Sequence, residues 1–167
     1  MTNLRIDWSR VQDFFFRAMM QGWTVEGSVI KPPDMLGYKL ARFEEDNLRL
    51  TDLWCTGGGG EKSAGTTTIF FGEIPIWVMQ YNGWYHEEAI PTVRASLMSA
   101  YQGRIFLGGR GRISFSIPES PHIEYRNRVD FNDFERFVGA ECVWDKRGSE
   151  EKKIGVHRYN GMSLIGK

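Results

Sequence analysis

Residues 65–84 read GTTTIFFGEIPIWVMQYNGW. Thr66 to Phe71 is dense in β-branched and aromatic side chains, which suit a pleated, half-buried surface. Gly72-Glu73 interrupts the run with glycine first, the chemistry of a type II′ hairpin turn. Ile74 to Tyr81 then reads as the return strand, with Pro75, which cannot donate to a ladder, at its start. On a period of two, Ile76 and Val78 face one way and Trp77, Met79 and Tyr81 the other. Both sets are largely apolar, so the strand is expected to be central and covered on both faces. Asn82-Gly83 is expected to close it with a turn. Trp77, Met79 and Tyr81 have two readings: core packing, or one wall of a pocket in which Tyr81 adds a hydroxyl to an apolar body.

Outward from this hairpin, the chain alternates helix and strand signals. Asp7 or Ser9 can cap a first helix, whose apolar face is Trp8, Val11, Phe15, Ala18 and Met19, widened by Phe14 and Phe16 and ended by Gly22. Residues 24–37, with Gly27, Pro32, Pro33 and Gly37, read as a loop. Tyr38 to Phe43 and Leu48 to Cys55 read as strands around a polar turn, Glu44 to Asn47. Gly57 to Gly60 with Glu61-Lys62-Ser63 is not a phosphate loop, because Glu61 stands where the motif needs glycine and a strand follows instead of a helix. A second helix is expected over His86 to Tyr101, with Pro91 in its first turn; Val93, Leu97, Ala100 and Tyr101 form its buried face and Gly103 its end. The 108–112 loop, GGRGR, could hold an anion on its backbone N–H groups beside Arg110 and Arg112, or be an ordinary exposed loop. Ile123 to Val129, Phe134 to Trp144 interrupted at Gly139, and Lys152 to Tyr159 read as strands. The last is closed by Asn160-Gly161.

The composition narrows the function classes. Of 167 residues, 41% are hydrophobic and 14% aromatic, enough for a real core. Lys+Arg and Asp+Glu balance at 21 each, so no basic footprint points to nucleic acid, and near-neutrality favours self-association, leaving a homodimer open. The two cysteines, Cys55 and Cys142, are too few and too far apart for a disulfide scaffold or a thiolate zinc site and read as free thiols in a reducing cytosol. MTNLRIDWSR carries no signal-peptide pattern and no segment has the length of a membrane span, so the expectation is a cytoplasmic protein without membrane contact.

The turns repeat. Gln80-Tyr81-Asn82-Gly83 is echoed by Arg158-Tyr159-Asn160-Gly161 at an offset of 78 residues, which also lays Phe15 on Val93, Met19 on Leu97 and Trp23 on Tyr101. Such self-similarity divides the chain into halves of about 1–84 and 85–167. The expected architecture is α+β: one domain built from an internally duplicated unit of a helix and antiparallel strands, its halves packed around a pseudo-two-fold. The seam between them is the natural cleft. Met79 corresponds to His157 and Gln80 to Arg158, a divergence equally compatible with a polar ligand site in one half and with surface drift.

Ile74 to Gly83, Gly109-Arg110-Gly111, Phe137-Val138-Gly139-Ala140-Glu141 and His157 to Gly161 together resemble the bacterial domain-of-unknown-function family 5680 over residues 36–165. The resemblance implies a duplicated module, found alone or behind a helix-turn-helix repressor domain, and a sensing role for some members; it implies no established activity. Two departures stand out. Ser63-Ala64-Gly65-Thr66-Thr67 lacks the Phe and Glu that the family tends to carry there, and the family's Arg-Gly-Pro becomes Arg110-Gly111-Arg112.

Glu141 and His157 are the candidates for chemistry. On consecutive strands they could form a carboxylate–imidazole general-base pair or a purely structural one, with Asp52 joining from the first half. His86, His122 and His157 lack the spacing of a metal site, Cys142 reads as a small buried apolar residue, and no cofactor is implied. Three functions follow. The first is a non-catalytic module that binds a small polar or aromatic molecule through Trp77, Met79, Tyr81 and Tyr159, anchored by Arg110, Glu141 and His157. The second is a small hydrolase- or lyase-like enzyme using His157 and Glu141, and the third a protein-interaction module.

Overall fold

The computed structural model describes residues 5–22 and 29–166. Helix α1 (Trp8–Gln21) begins where Asp7 accepts hydrogen bonds from the backbone N–H groups of Ser9 and Arg10, at 3.1 and 3.3 Å. Its buried face is Val11, Phe14, Phe15, Phe16 and Ala18. Strands β1 (Val29–Ile30), β2 (Tyr38–Glu45), β3 (Leu48–Thr56), β4 (Lys62–Phe71) and β5 (Ile74–Tyr85) follow as a meander. A 3-10 turn (Glu87–Ala89) leads into α2 (Ile90–Gln102), with Pro91 in its first turn. Strands β6 (Ser114–Ile117), β7 (Ser120–Asp133), β8 (Arg136–Asp145) and β9 (Lys152–Ser163) form a second meander. The residues 23–28 of the expected 24–37 loop, and the Trp23 match of the repeat, lie outside the described residues; within the rest of that loop, Val29–Ile30 pairs with β2.

The nine strands of the described residues join one antiparallel sheet in the order β1-β2-β3-β4-β5-β9-β8-β7-β6. Thus β5 is the middle strand, as its composition suggests. It is covered on one side only: Trp77 and Met79 are buried, whereas Val78 is half-buried and Gln80 exposed. Both helices pack over the same face, and a single core joins Phe14 and Phe15 of α1 and Val93, Leu97 and Tyr101 of α2 to Ile69, Trp77, Tyr125 and Phe137 of the sheet. The opposite face leaves Phe131, Val138 and Met162 exposed. No helix among the described residues is long and apolar enough to cross a membrane.

Three local expectations change. First, Ile76 does not share a face with Val78. The ladder pairs Phe70 with Pro75 and Ile69 with Trp77, so Ile76 is the extra residue of a bulge and is buried together with Trp77. A bulge relaxes the strict alternation at the point where Pro75 has no N–H to give. Second, Asn82-Gly83 and Asn160-Gly161 are not turns; β5 continues to Tyr85 and β9 to Ser163. These glycines lie opposite large rings: Gly83 pairs with His157 and Gly161 with Phe137. A Cβ on Gly161 would stand 2.1 Å from Phe137 Cζ. Third, β8 runs without a break through Gly139. The Gly72-Glu73 turn is as expected, with Gly72 at φ 58° and Phe71 facing Ile74.

Candidate functional site

Sheet registers line up the polar residues on the helix-covered face. Thr67 faces Asp52 on one side and Met79 on the other. Two residues along, Gly65 faces Tyr81, Tyr81 faces Tyr159 and Tyr159 faces Gly139. In the next row Ser63, Gly83, His157, Glu141 and Asn127 follow across five strands. Glycines make room for the rings: a Cβ on Gly65 would lie 2.4 Å from Tyr81 Oη, and one on Gly83 2.4 Å from His157 Cδ2.

Over these rows, beneath α2 and beside α1, lies a cavity of about 290 Å³. Trp54, Tyr81, Tyr85 and Tyr101 supply its aromatic walls, and Asp52, Ser63, Arg110 and His157 its inner polar groups. Lys39, Glu61 and Arg94 also line it. An aromatic lining with a few polar groups is the usual make-up of a small-molecule site.

Arg110 is the centre of the electrostatics. The 108–112 loop is neither exposed nor an external anion site, because Gly108, Gly109, Arg110 and Gly111 are buried and the anion Arg110 meets is Glu141. Arg110 Nε donates to both Glu141 oxygens, at 3.1 and 3.2 Å, and Nη2 donates to Oε1. The Tyr85 hydroxyl also donates to Oε1 and the Tyr125 hydroxyl to Oε2. Burial alone would raise the Glu141 carboxyl, but the Arg110 guanidinium outweighs it and holds the group below the usual carboxylate range. A buried charge pair of this kind needs its remaining lone pairs filled, and the two tyrosines fill them.

Asp52 is in the opposite situation. It accepts on Oδ1 from Thr67 Oγ1 at 2.8 Å and from the Tyr81 hydroxyl at 3.0 Å. Burial pushes its carboxyl upward despite these bonds and the more distant charge of Arg110. Tyr81, raised well above its ordinary value by burial and by Asp52, stays a protonated phenol. Its ring lies under Arg110, with Cζ 5.5 Å from the ring centroid.

His157 stacks on Tyr85, with ring centroids 4.2 Å apart, and Nε2 lies 3.3 Å from Ser63 Oγ. Nδ1 is buried with no hydrogen-bond partner among the described residues. Burial, reinforced by the Arg110 charge, lowers His157 to about 4, so the ring is neutral at pH 7. Glu141 and His157 face each other across the ladder, yet the bonds of the Glu141 carboxylate go to Arg110, Tyr85 and Tyr125. Ser63 and His157 form a hydroxyl–imidazole contact without a carboxylate on Nδ1 to orient the ring.

Of the candidate residues, Tyr81, Arg110 and His157 line the cavity. Glu141 lies behind Arg110, fully buried. Trp77 and Met79 belong to the core: Trp77 stacks between Phe134 and Phe137 and its Nε1 donates to the Phe134 carbonyl at 2.7 Å. Tyr159 is buried in the sheet, its hydroxyl donating to Asn127 Oδ1 at 2.7 Å. Tyr85, Tyr101 and Trp54 complete the site. Tyr85 falls between the expected end of one strand and start of a helix, and Tyr101 reads from sequence as helix core. Asp52 carries a legible signal, an acid in the inward register of Leu48, Leu50 and Trp54 on β3. Comparison with protein-family models, with curated proteins and with solved structures finds no match.

Proposed function

We propose that the protein is a non-catalytic small-molecule-binding module of the sensor type. The observation that carries this reading is the cavity of about 290 Å³, walled by Trp54, Tyr81, Tyr85 and Tyr101, into which Asp52 and Arg110 bring polar groups. The catalytic alternative has less support. The carboxylate of Glu141 is occupied by a guanidinium and two phenols, and the imidazole of His157 has no orienting acceptor among the described residues. A general base needs hydrogen-bond reach to its proton and a pKa near the working pH; at about 4, His157 is a weak base.

The site lies where two halves of a duplicated chain meet, with a pseudo-two-fold passing between Tyr81 and Tyr159. Supporting this are the paired meanders on either side of β5–β9 and the offset of 78 residues. The ladder also treats both halves alike: Gly65 faces Tyr81 as Gly139 faces Tyr159, and Thr67 faces Met79 as Glu141 faces His157. The motif resemblance to family 5680, with its repressor-fused members, agrees with a sensing role. Native mass spectrometry of gently purified protein tests the reading. The expected result is a stoichiometric small adduct that is released on denaturation and missing from Tyr81→Ala. A bare mass, together with no thermal shift from any member of a fragment library, would refute it.

A further inference from the structure

Arg110 commits Nε and Nη2 to Glu141 and Tyr85, and no hydrogen bond reaches Nη1 from the described residues. Asp52 receives both its hydrogen bonds on Oδ1, and none reaches Oδ2 from the described residues. Both residues line the cavity, and both are more than nine-tenths buried, with 7% and 6% exposure. Tyr81 spans the two: its ring is under the guanidinium and its hydroxyl is on the carboxyl. One wall of the cavity therefore carries, among the described residues, an uncommitted donor over the face of Tyr81 and an uncommitted acceptor at its hydroxyl.

Charge narrows the occupant. The guanidinium is already neutralised by Glu141, and the other charged residues of the lining balance, Lys39 and Arg94 against Asp52 and Glu61, so a bound anion would add a net negative charge to the cavity. A bound cation would sit against Arg110. Burying either without a full partner is costly, whereas a neutral molecule avoids both penalties. The flat faces of Trp54, Tyr81 and Tyr101 favour a planar guest, and the volume is at the small end of ligand pockets, sized for one ring system.

Building on the cavity as a ligand site, we infer that its ligand is a neutral planar heterocycle with a ring amide, a lactam or nucleobase-like ring. Its carbonyl accepts from Arg110 Nη1 and its N–H donates to Asp52 Oδ2. The pairing uses both open groups at once, and a ring lacking either would leave a buried polar atom without a partner.

Isothermal titration of the full chain with 2-pyridone, uracil, phenol, benzoate and benzylamine tests this, on the wild type and on Asp52→Asn. Asn keeps an oxygen for Thr67 and Tyr81 but replaces the open acceptor by a donor; circular dichroism checks that the variant is folded. The expected result is binding of 2-pyridone and uracil, with phenol, benzoate and benzylamine weaker by about tenfold, the factor set by one unmet buried hydrogen bond. Asp52→Asn should weaken the two lactams by about the same factor and leave phenol unchanged. Benzoate, benzylamine or phenol binding as tightly as the lactams would overturn the ligand class and leave the binding module standing. Equal lactam affinity in Asp52→Asn would overturn the assigned hydrogen bond. No binding by any probe, combined with a bare native mass, would overturn both readings.

Discussion

Glu141→Gln isolates the buried charge pair with little change of shape. Arg110 and Glu141 are both buried, and the amide cannot neutralise the guanidinium. Leaving one charge of a buried pair without its partner costs about 3–5 kcal/mol. A domain's whole stability is about 5–15 kcal/mol, so the variant should be severely weakened. At about 2–4 °C per kcal/mol for a chain of this length, the melting temperature should fall by roughly 6–20 °C. The Gln oxygen keeps one of the two phenol hydrogen bonds, from Tyr85 or Tyr125, and the other hydroxyl must turn to accept from the amide NH2, so the loss reports the charge together with that one exchanged bond. Adding Arg110→Met should recover much of the stability, since neither position of the pair is then charged. The pH dependence has a definite sign. The Glu141 carboxyl is held below its ordinary value in the folded protein, so its contribution is full above the unfolded carboxyl pKa near about 4.3 and is lost as the pH falls through the folded value. Urea unfolding followed by tryptophan fluorescence measures all three proteins. A single-variant loss under about 1 kcal/mol, or a double variant weaker than Glu141→Gln, would refute the reasoning.

Two further outcomes follow from the same interior. His157 falls from 6.5 unfolded to about 4 folded. The unfolded chain thus binds the proton more tightly, and stability falls as the pH drops from above 6.5 toward 4. Between pH 7 and 5 this group should cost about 2 kcal/mol, read as the difference in urea unfolding between wild type and His157→Gln; equal slopes in both would remove His157 as the cause. Gly65→Ala would place a Cβ 2.4 Å from Tyr81 Cζ and 2.8 Å from Trp54 Cβ. Since Trp54 Cβ is fixed to the backbone, a loss of about 1–3 kcal/mol is expected, along with a disturbed cavity wall. Gly58→Ala, which meets nothing within 4 Å, should stay within about 0.5 kcal/mol; thermal melts of the two variants separate a crowded glycine from an open one.

Much of the fold is legible in the chain because local chemistry controls it. The Asp7 cap, the apolar stripe from Val11 to Ala18 and Pro91 in the first turn of α2 each act within one helical turn. Gly72 supplies the positive φ that the central hairpin needs. The alternation of Leu48, Leu50, Asp52 and Trp54 assigns one face of β3 to the interior without knowledge of any partner.

What the sequence could not decide depends on which strands become neighbours. Asn82-Gly83 and Asn160-Gly161 have turn chemistry, yet they run straight through β5 and β9, where their glycines make room for His157 and Phe137 on adjoining strands. Arg110 sits in a loop whose composition suits solvent; only the approach of Glu141, 31 residues away, makes its burial tolerable. Trp77 and Tyr81 share a face of one strand, but the rings of Phe134 and Phe137 enclose the first while the second opens on the cavity. Turns, caps and strand faces are set by interactions a few residues long, and the chain alone determines them. The site is set by contacts between distant segments, whose energies exist only once the sheet has closed around β5 and β9.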